Sequence, residues 1–196
     1  MLQLEYLVFV GAVASLIGIS AYIWSTLRGQ TKPNKMSWLM WSIAPLIATC
    51  AAIADGVGWS ALPVFMSGFG PLLVFLFSFA NKKSYWKLEK LDYVCGTFSA
   101  LALVLWYLTN NPNIAIIFAI LSDGSAAIPT VIKSWRYPET ENSAPFLTGL
   151  FSASTSFAAI QVWNFAALAF PIYLVGINIC IITGIYHGKK TKQALN

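Results

Sequence analysis

Asp123 and Pro129 lie in one apolar run that starts near Ile114 and stops at Lys133, Trp135 and Arg136. A charged aspartate at the centre of a membrane-spanning helix costs about 2.5–3.5 kcal/mol, so it faces the bundle interior. The chemistry open to Asp123 is a proton or cation site, a contact to a polar solute, or simply a hydrogen bond from a neutral acid to a neighbouring helix. No Lys, Arg or His falls at the same depth, which leaves hydroxyls, amides and water as its partners. Asn178 is the second candidate. Amides are costly in lipid, and this one either contacts a solute or bridges two helices. Trp41, about a turn deeper than Trp38, offers a face for stacking. Pro71 and Pro129 are helix-interior prolines. Each removes a backbone hydrogen bond and makes either a hinge or a static kink.

These residues need a scaffold, and composition says which kind. The chain has 196 residues, 58% hydrophobic and 10% charged. A water-soluble domain of this size does not carry so much apolar surface, whereas a polytopic membrane protein does. One spanning helix takes about 20 apolar residues. Seven segments can be cut, at roughly 5–27, 37–55, 60–80, 92–109, 113–133, 144–163 and 166–187. Gly, Pro, Asn and Lys cluster between most of them, as turn chemistry requires. The break between the sixth and seventh rests only on Trp163-Asn164 and Pro171, so a six-helix alternative stays open. The first segment reads as a spanning helix and not as a cleaved signal. Cys50, Cys95 and Cys180 are isolated and form neither a metal spacing nor a disulfide framework.

The twelve Lys and Arg test this count. In the seven-helix reading all of them fall in the loops after helices one, three and five and in the C-terminal tail. The positive-inside rule then puts the N-terminus outside and the C-terminus in the cytoplasm. The net charge of +5 reflects juxtamembrane loops, not nucleic-acid binding. Trp24, Trp38, Trp86 and Trp135 read as anchors at the inner boundary, and Trp59, Trp106 and Trp163 at the outer one. Ser152, Ser154, Thr155 and Ser156 form a small polar stripe suited to close helix packing. Pro63, Pro145 and Pro171 read as first-turn prolines. A single His, no clustered intramembrane carboxylates and no phosphate-binding glycine loop argue against an enzyme, a cofactor or a metal centre.

The chain also repeats itself. A shift of 108 residues places Arg28 on Arg136, Asn34 on Asn142, Leu39 on Leu147, Ala61 on Ala169, Pro63 on Pro171 and Gly68 on Gly176. Trp38 falls on Phe146 and Phe65 on Tyr173 without a gap. Helices one to three and five to seven are the two copies. The fourth connects them, so the copies run parallel. The expected architecture is an all-α polytopic membrane protein with seven transmembrane helices in a 3+1+3 order. Residues 1–90 form the first triple-helix bundle, 91–110 the connector helix and 111–196 the second bundle.

That order resembles the SWEET sugar transporters, the PQ-loop proteins and the nicotinamide-riboside transporter family. The second half looks most like a PQ-loop repeat, with Ile128-Pro129-Thr130-Val131-Ile132-Lys133-Ser134-Trp135-Arg136 followed by Ala144-Pro145-Phe146-Leu147. Pro129 and Lys133 match the family's proline and following basic residue. Thr130 stands where its glutamine would be, and in the first half Ala21 and Tyr22 replace the pair. SWEET transporters place an asparagine facing substrate in the third helix of a triple, and Asn178 is similar to it. Gly70 is its counterpart in the first half. Residues Thr31–Trp41 also resemble a group of bacterial membrane proteins, which implies a bacterial cytoplasmic (inner) membrane.

The function this implies is transport of a small polar solute, sugar-like or vitamin- or nucleoside-like, by alternating access. Asp123, Asn178 and Trp41 would bind the solute, with Pro71 and Pro129 as hinges. The alternative is a receptor or assembly factor of the same fold, acting through the basic loop at Lys82–Lys90. The expected partners are the solute and the lipid bilayer, with no nucleic acid. A homo-oligomer is left open.

Overall fold

The computed structural model describes residues 2–54, 62–109, 112–158 and 165–195. Asp55, Trp59, Gln161, Trp163 and Asn164 lie outside them. The described residues form seven α-helices: α1 Leu2–Leu27, α2 Lys35–Ala54, α3 Leu62–Phe77, α4 Lys90–Leu108, α5 Pro112–Arg136, α6 Ala144–Ala158 and α7 Phe165–Leu195. Short 3-10 turns occupy Lys82–Ser84 and Pro138–Thr140. Four helices contain stretches long and apolar enough to cross a membrane: Phe9–Leu27, Lys90–Leu108, Ile116–Arg136 and Leu168–Thr191.

Helix ends follow local chemistry. Gly29 closes α1 at φ 77°, a left-handed conformation that glycine adopts without a Cβ penalty. Its N–H reaches the Thr26 carbonyl at 2.9 Å. Asn34 caps α2, its Oδ1 accepting from the backbone of Met36 at 3.1 Å and of Ser37 at 3.3 Å. Asn142, one residue before the N-cap Ser143, turns the chain into α6, its Oδ1 accepting from Ala144 N at 2.9 Å. The two asparagines are the pair that the 108-residue shift superimposes. Asn81 caps the first 3-10 turn through Lys83 N and donates its amide to the Leu27 carbonyl at 2.7 Å. The seventh helix runs further than the apolar segment ending at 187, through Lys189 and Lys190, because nothing past Gly188 breaks it.

Helix α3 packs against α1 and α2, and α7 against α5 and α6. Helix α1 also meets α6 and α2 meets α5, while α4 lies against α2 and α5. The α1–α6 seam is tight. A Cβ at Gly18 would come within 2.8 Å of the Ala144 carbonyl and closer still to the Thr148 hydroxyl.

The surface is oily and the interior mixed. Ile17, Phe98, Val104, Leu108 and Ile172 are exposed, while Thr26, Asn34, Ser99, Thr130, Lys133 and Glu141 are buried. In water such a surface would drive association. The distribution is compatible with an integral membrane protein, whose outer face meets lipid. The loops after α1, α3 and α5 touch one another: Lys32 N donates to the Thr140 carbonyl at 2.9 Å, and the Ser84 hydroxyl donates to the Thr26 carbonyl. The far end of α7 joins them, His187 packing on Trp135 at 5.7 Å. The basic segments therefore gather at one end, called here the basic end.

Two expectations change. Trp38 is not an interfacial anchor. It is 3% exposed and packs between Tyr22 at 4.9 Å and Phe146 at 6.2 Å. Pro171 is not in a first turn, since α7 begins at Phe165 and carries it as an interior proline. Trp24 and Trp135, by contrast, are exposed as anchors would be.

Candidate functional site

A cavity of about 330 Å³ lies among these helices, and every helix except α4 contributes to its wall. Asp123, Asn178 and Trp41 all line it, and so does Pro71. Pro129 does not. It is buried in α5, a turn and a half towards the basic end. Helices α3 and α5 run unbroken through both prolines.

Three helices converge on Asp123. From α7, the Tyr173 hydroxyl donates to Oδ2 at 2.6 Å. From α2, the Trp41 indole N–H donates to the Asp123 backbone carbonyl at 3.2 Å. The other carboxylate oxygen, Oδ1, has no protein donor among the described residues. Asn178 turns its amide nitrogen back to the Leu174 carbonyl at 2.8 Å. Trp41 meets Trp38 edge-on, at 5.2 Å and 87°, so two indoles form a corner of the wall. Phe146 and Phe170 extend the aromatic lining. Pro45, also in the wall, has no N–H. The Trp41 carbonyl one turn back therefore loses its usual helical donor.

The cavity is shut towards the basic end by two layers. The first is apolar: Tyr22, Trp38, Val74, Phe146, Ile181 and Ile185 form one buried cluster. The second is polar and just as dry. Lys133 pairs with Glu141 at 2.5 Å, with side chains 1% and 0% exposed. Its ammonium also donates to the Lys32 carbonyl and lies over the Trp86 ring at 4.7 Å. The Tyr22 hydroxyl donates to the second Glu141 oxygen at 2.9 Å. The Asn34 amide donates to Asp92 of α4 at 2.5 Å, and the Thr130 hydroxyl to that of Ser37 at 2.9 Å.

Some of this escaped the sequence. Tyr173 figured there only as the repeat partner of Phe65. The hydroxyl that it adds to an otherwise aromatic position is the one signal that pointed to a polar contact. Nothing in the sequence singles out Glu141 or Asp92. Of the small polar stripe, Ser152 and Thr155 pack against Gly11 of α1, where a Cβ would come within 3.2 Å and 3.0 Å of their hydroxyls, and Ser152 also lines the cavity, while Ser154 is exposed.

No protein-family model, curated protein or solved structure matches this chain.

Proposed function

We propose that the chain is a small-solute transporter that works by alternating access, with the central cavity as its solute site. The observation that carries this reading is the cavity itself. It brings Asp123, Asn178 and Trp41 from three different helices to one membrane-depth space between two groups of helices. Sites of this kind lie at the interface of structural repeats. The 3+1+3 arrangement, and with it the resemblance to SWEET and PQ-loop proteins, belongs to the same proposal. It is supported by the matching neighbour order, α1–α3–α2 and α5–α7–α6, and by contacts between the groups that exchange under the repeat, α1 with α6 and α5 with α2. The positive-inside rule makes the basic end cytoplasmic, in a bacterial inner membrane. The conformation is then one closed towards the cytoplasm, with the Lys133–Glu141 layer as the closed gate.

In this mechanism the two triple bundles rock about the site, and Pro71 in the cavity wall and Pro129 beside the gate let α3 and α5 bend. The test is uptake by vesicles holding only this protein, assayed with labelled sugars, nucleosides, vitamins and amines. Saturable uptake that falls at least about tenfold in Asp123→Asn is expected, because a lost hydrogen bond to a charged group is worth that much. No flux of any solute would favour the second reading, a receptor or assembly factor. The exposed Lys82, Lys83, Tyr85 and Lys87 are the surface that such a factor would use.

A further inference from the structure

Resting on the reading of the cavity as a solute site, we propose that its solute is a small organic cation, a molecule with one alkyl- or quaternary-ammonium group. Charge is the first argument. Among the described residues Asp123 is the only charged side chain in the wall, and no Lys, Arg or His lines it. On the same helix Lys133 lies ten residues on, about 15 Å away, and Glu141 already holds it. A carboxylate at this depth without a protein cation takes a proton or a cationic guest.

The second argument is the balance of donors and acceptors. The donors beside Asp123 are spent on the protein: Trp41 on the Asp123 carbonyl and Tyr173, behind the wall, on Oδ2. Further along the wall the Asn178 amide gives one N–H to Leu174 and keeps a second, and the Ser15 and Ser152 hydroxyls also line the space. The Trp38 indole N–H has no partner among the described residues, but it is sealed from any guest. Around Asp123 itself acceptors outnumber donors, since Oδ1 has no protein donor among the described residues. A sugar hydroxyl can donate to that oxygen, but it leaves the carboxylate charge unpaired. An ammonium group donates and brings the opposite charge.

The third argument is the aromatic corner. Indole and phenyl faces attract cations, tryptophan most of all. Trp38, Trp41, Phe146 and Phe170 surround the space that Asp123 borders. At about 330 Å³ the cavity is also at the small end of ligand sites, which run from about 300 to 1,000 Å³.

The experiment pairs each cation with its uncharged isostere on the purified full chain: choline with 3,3-dimethylbutan-1-ol, and benzylammonium with benzyl alcohol. Ligand-dependent thermal stabilisation reads binding. The cations should bind at least about tenfold more tightly than the alcohols, as a charge-assisted contact requires. Asp123→Asn should erase that preference and Asp123→Glu should keep it, with unliganded melting reporting the fold of each variant. Should Asp123→Asn fail to fold, Trp41→Leu replaces it and should weaken the cations more than the alcohols. Equal binding of cation and alcohol, no binding of either cation, or a preference that survives Asp123→Asn overturns the proposal. Counterflow of labelled choline in vesicles separates the two readings. Asp123-dependent binding without flux keeps the cation site and removes transport. Flux of a neutral solute with no cation binding keeps transport and removes the cation.

Discussion

Lys133 and Glu141 at the basic end are more deeply buried than Asp123 in the cavity, yet their charges are matched and its charge is not. Glu141 accepts from both Lys133 and Tyr22. Asp92 accepts from Asn34 and from the backbone of Glu89 at 2.6 Å. Polar atoms there close on one another across α1, α2, α4, α5 and the loop before α6. In the cavity Asp123 has one side-chain partner and borders empty space. A satisfied buried network specifies one arrangement of its helices, whereas an under-satisfied pocket is ready for a guest. Substitutions at the basic end should therefore be felt in folding and in the equilibrium between conformations, and those in the cavity in ligand binding.

The sharpest break of that contrast is Glu141→Ala. It strands the Lys133 ammonium in a dry site, and removing one member of a buried ion pair costs about 3–5 kcal/mol. Equilibrium unfolding in mixed micelles should show a loss of that size. A loss under about 1 kcal/mol, the value of exposed pairs, would mean that water reaches Lys133 and that the layer is no seal. Asn34→Ala should come next, at about 2 kcal/mol, since it removes both the cap of α2 and the bond to Asp92. Asn142→Ala, which removes a single turn bond ahead of α6 with no carboxylate partner among the described residues, should cost about 1 kcal/mol. Equal losses in the two would show that the second cap bond and the Asn34–Asp92 bond together contribute nothing.

The seven helices were legible because long apolar runs broken by Asn, Gly, Pro and Lys are a strong and local signal. The ends moved by a few residues where the chain had no local reason to stop, as past Gly188 in α7. What the sequence hid was pairing. Lys133 reads as one more basic residue at a helix end, and only the fold brings Glu141 back over it. Trp38 reads as an interfacial tryptophan, because the Tyr22 and Phe146 rings that bury it come from other helices. Asp123, Asn178 and Trp41 stood out by polarity or depth alone, but that they share one cavity depends on how three helices rotate. Tyr173, fifty residues from Asp123, had no motif to announce it.

Asp123→Asn sharpens the comparison from the cavity side. The amide oxygen still accepts from Tyr173, so stability should fall by no more than about 1 kcal/mol. Ligand-free unfolding beside Glu141→Ala reads this directly. A loss as large as that of Glu141→Ala would place Asp123 among the structural groups and deny the difference between the two regions.

Trp38→Phe should have the smallest effect and probes the boundary between them. Trp38 belongs to the apolar seal and also touches the cavity, and its buried indole N–H has no partner among the described residues. An unmatched buried donor costs about 1–3 kcal/mol. Phenylalanine removes that cost while giving up ring area worth a similar amount at about 25 cal/mol per Å². Phe146, which the 108-residue shift sets against Trp38, is 4% exposed in the same cluster. Stability close to that of the parent chain is therefore expected, measured in the same micelles. A loss of about 2 kcal/mol or more would show that the indole N–H is matched in the membrane, and a water or an adjusted Tyr22 hydroxyl would then tie the seal to the Glu141 network. In that event the two regions form one connected system, and a guest in the cavity acts on the gate through Trp38.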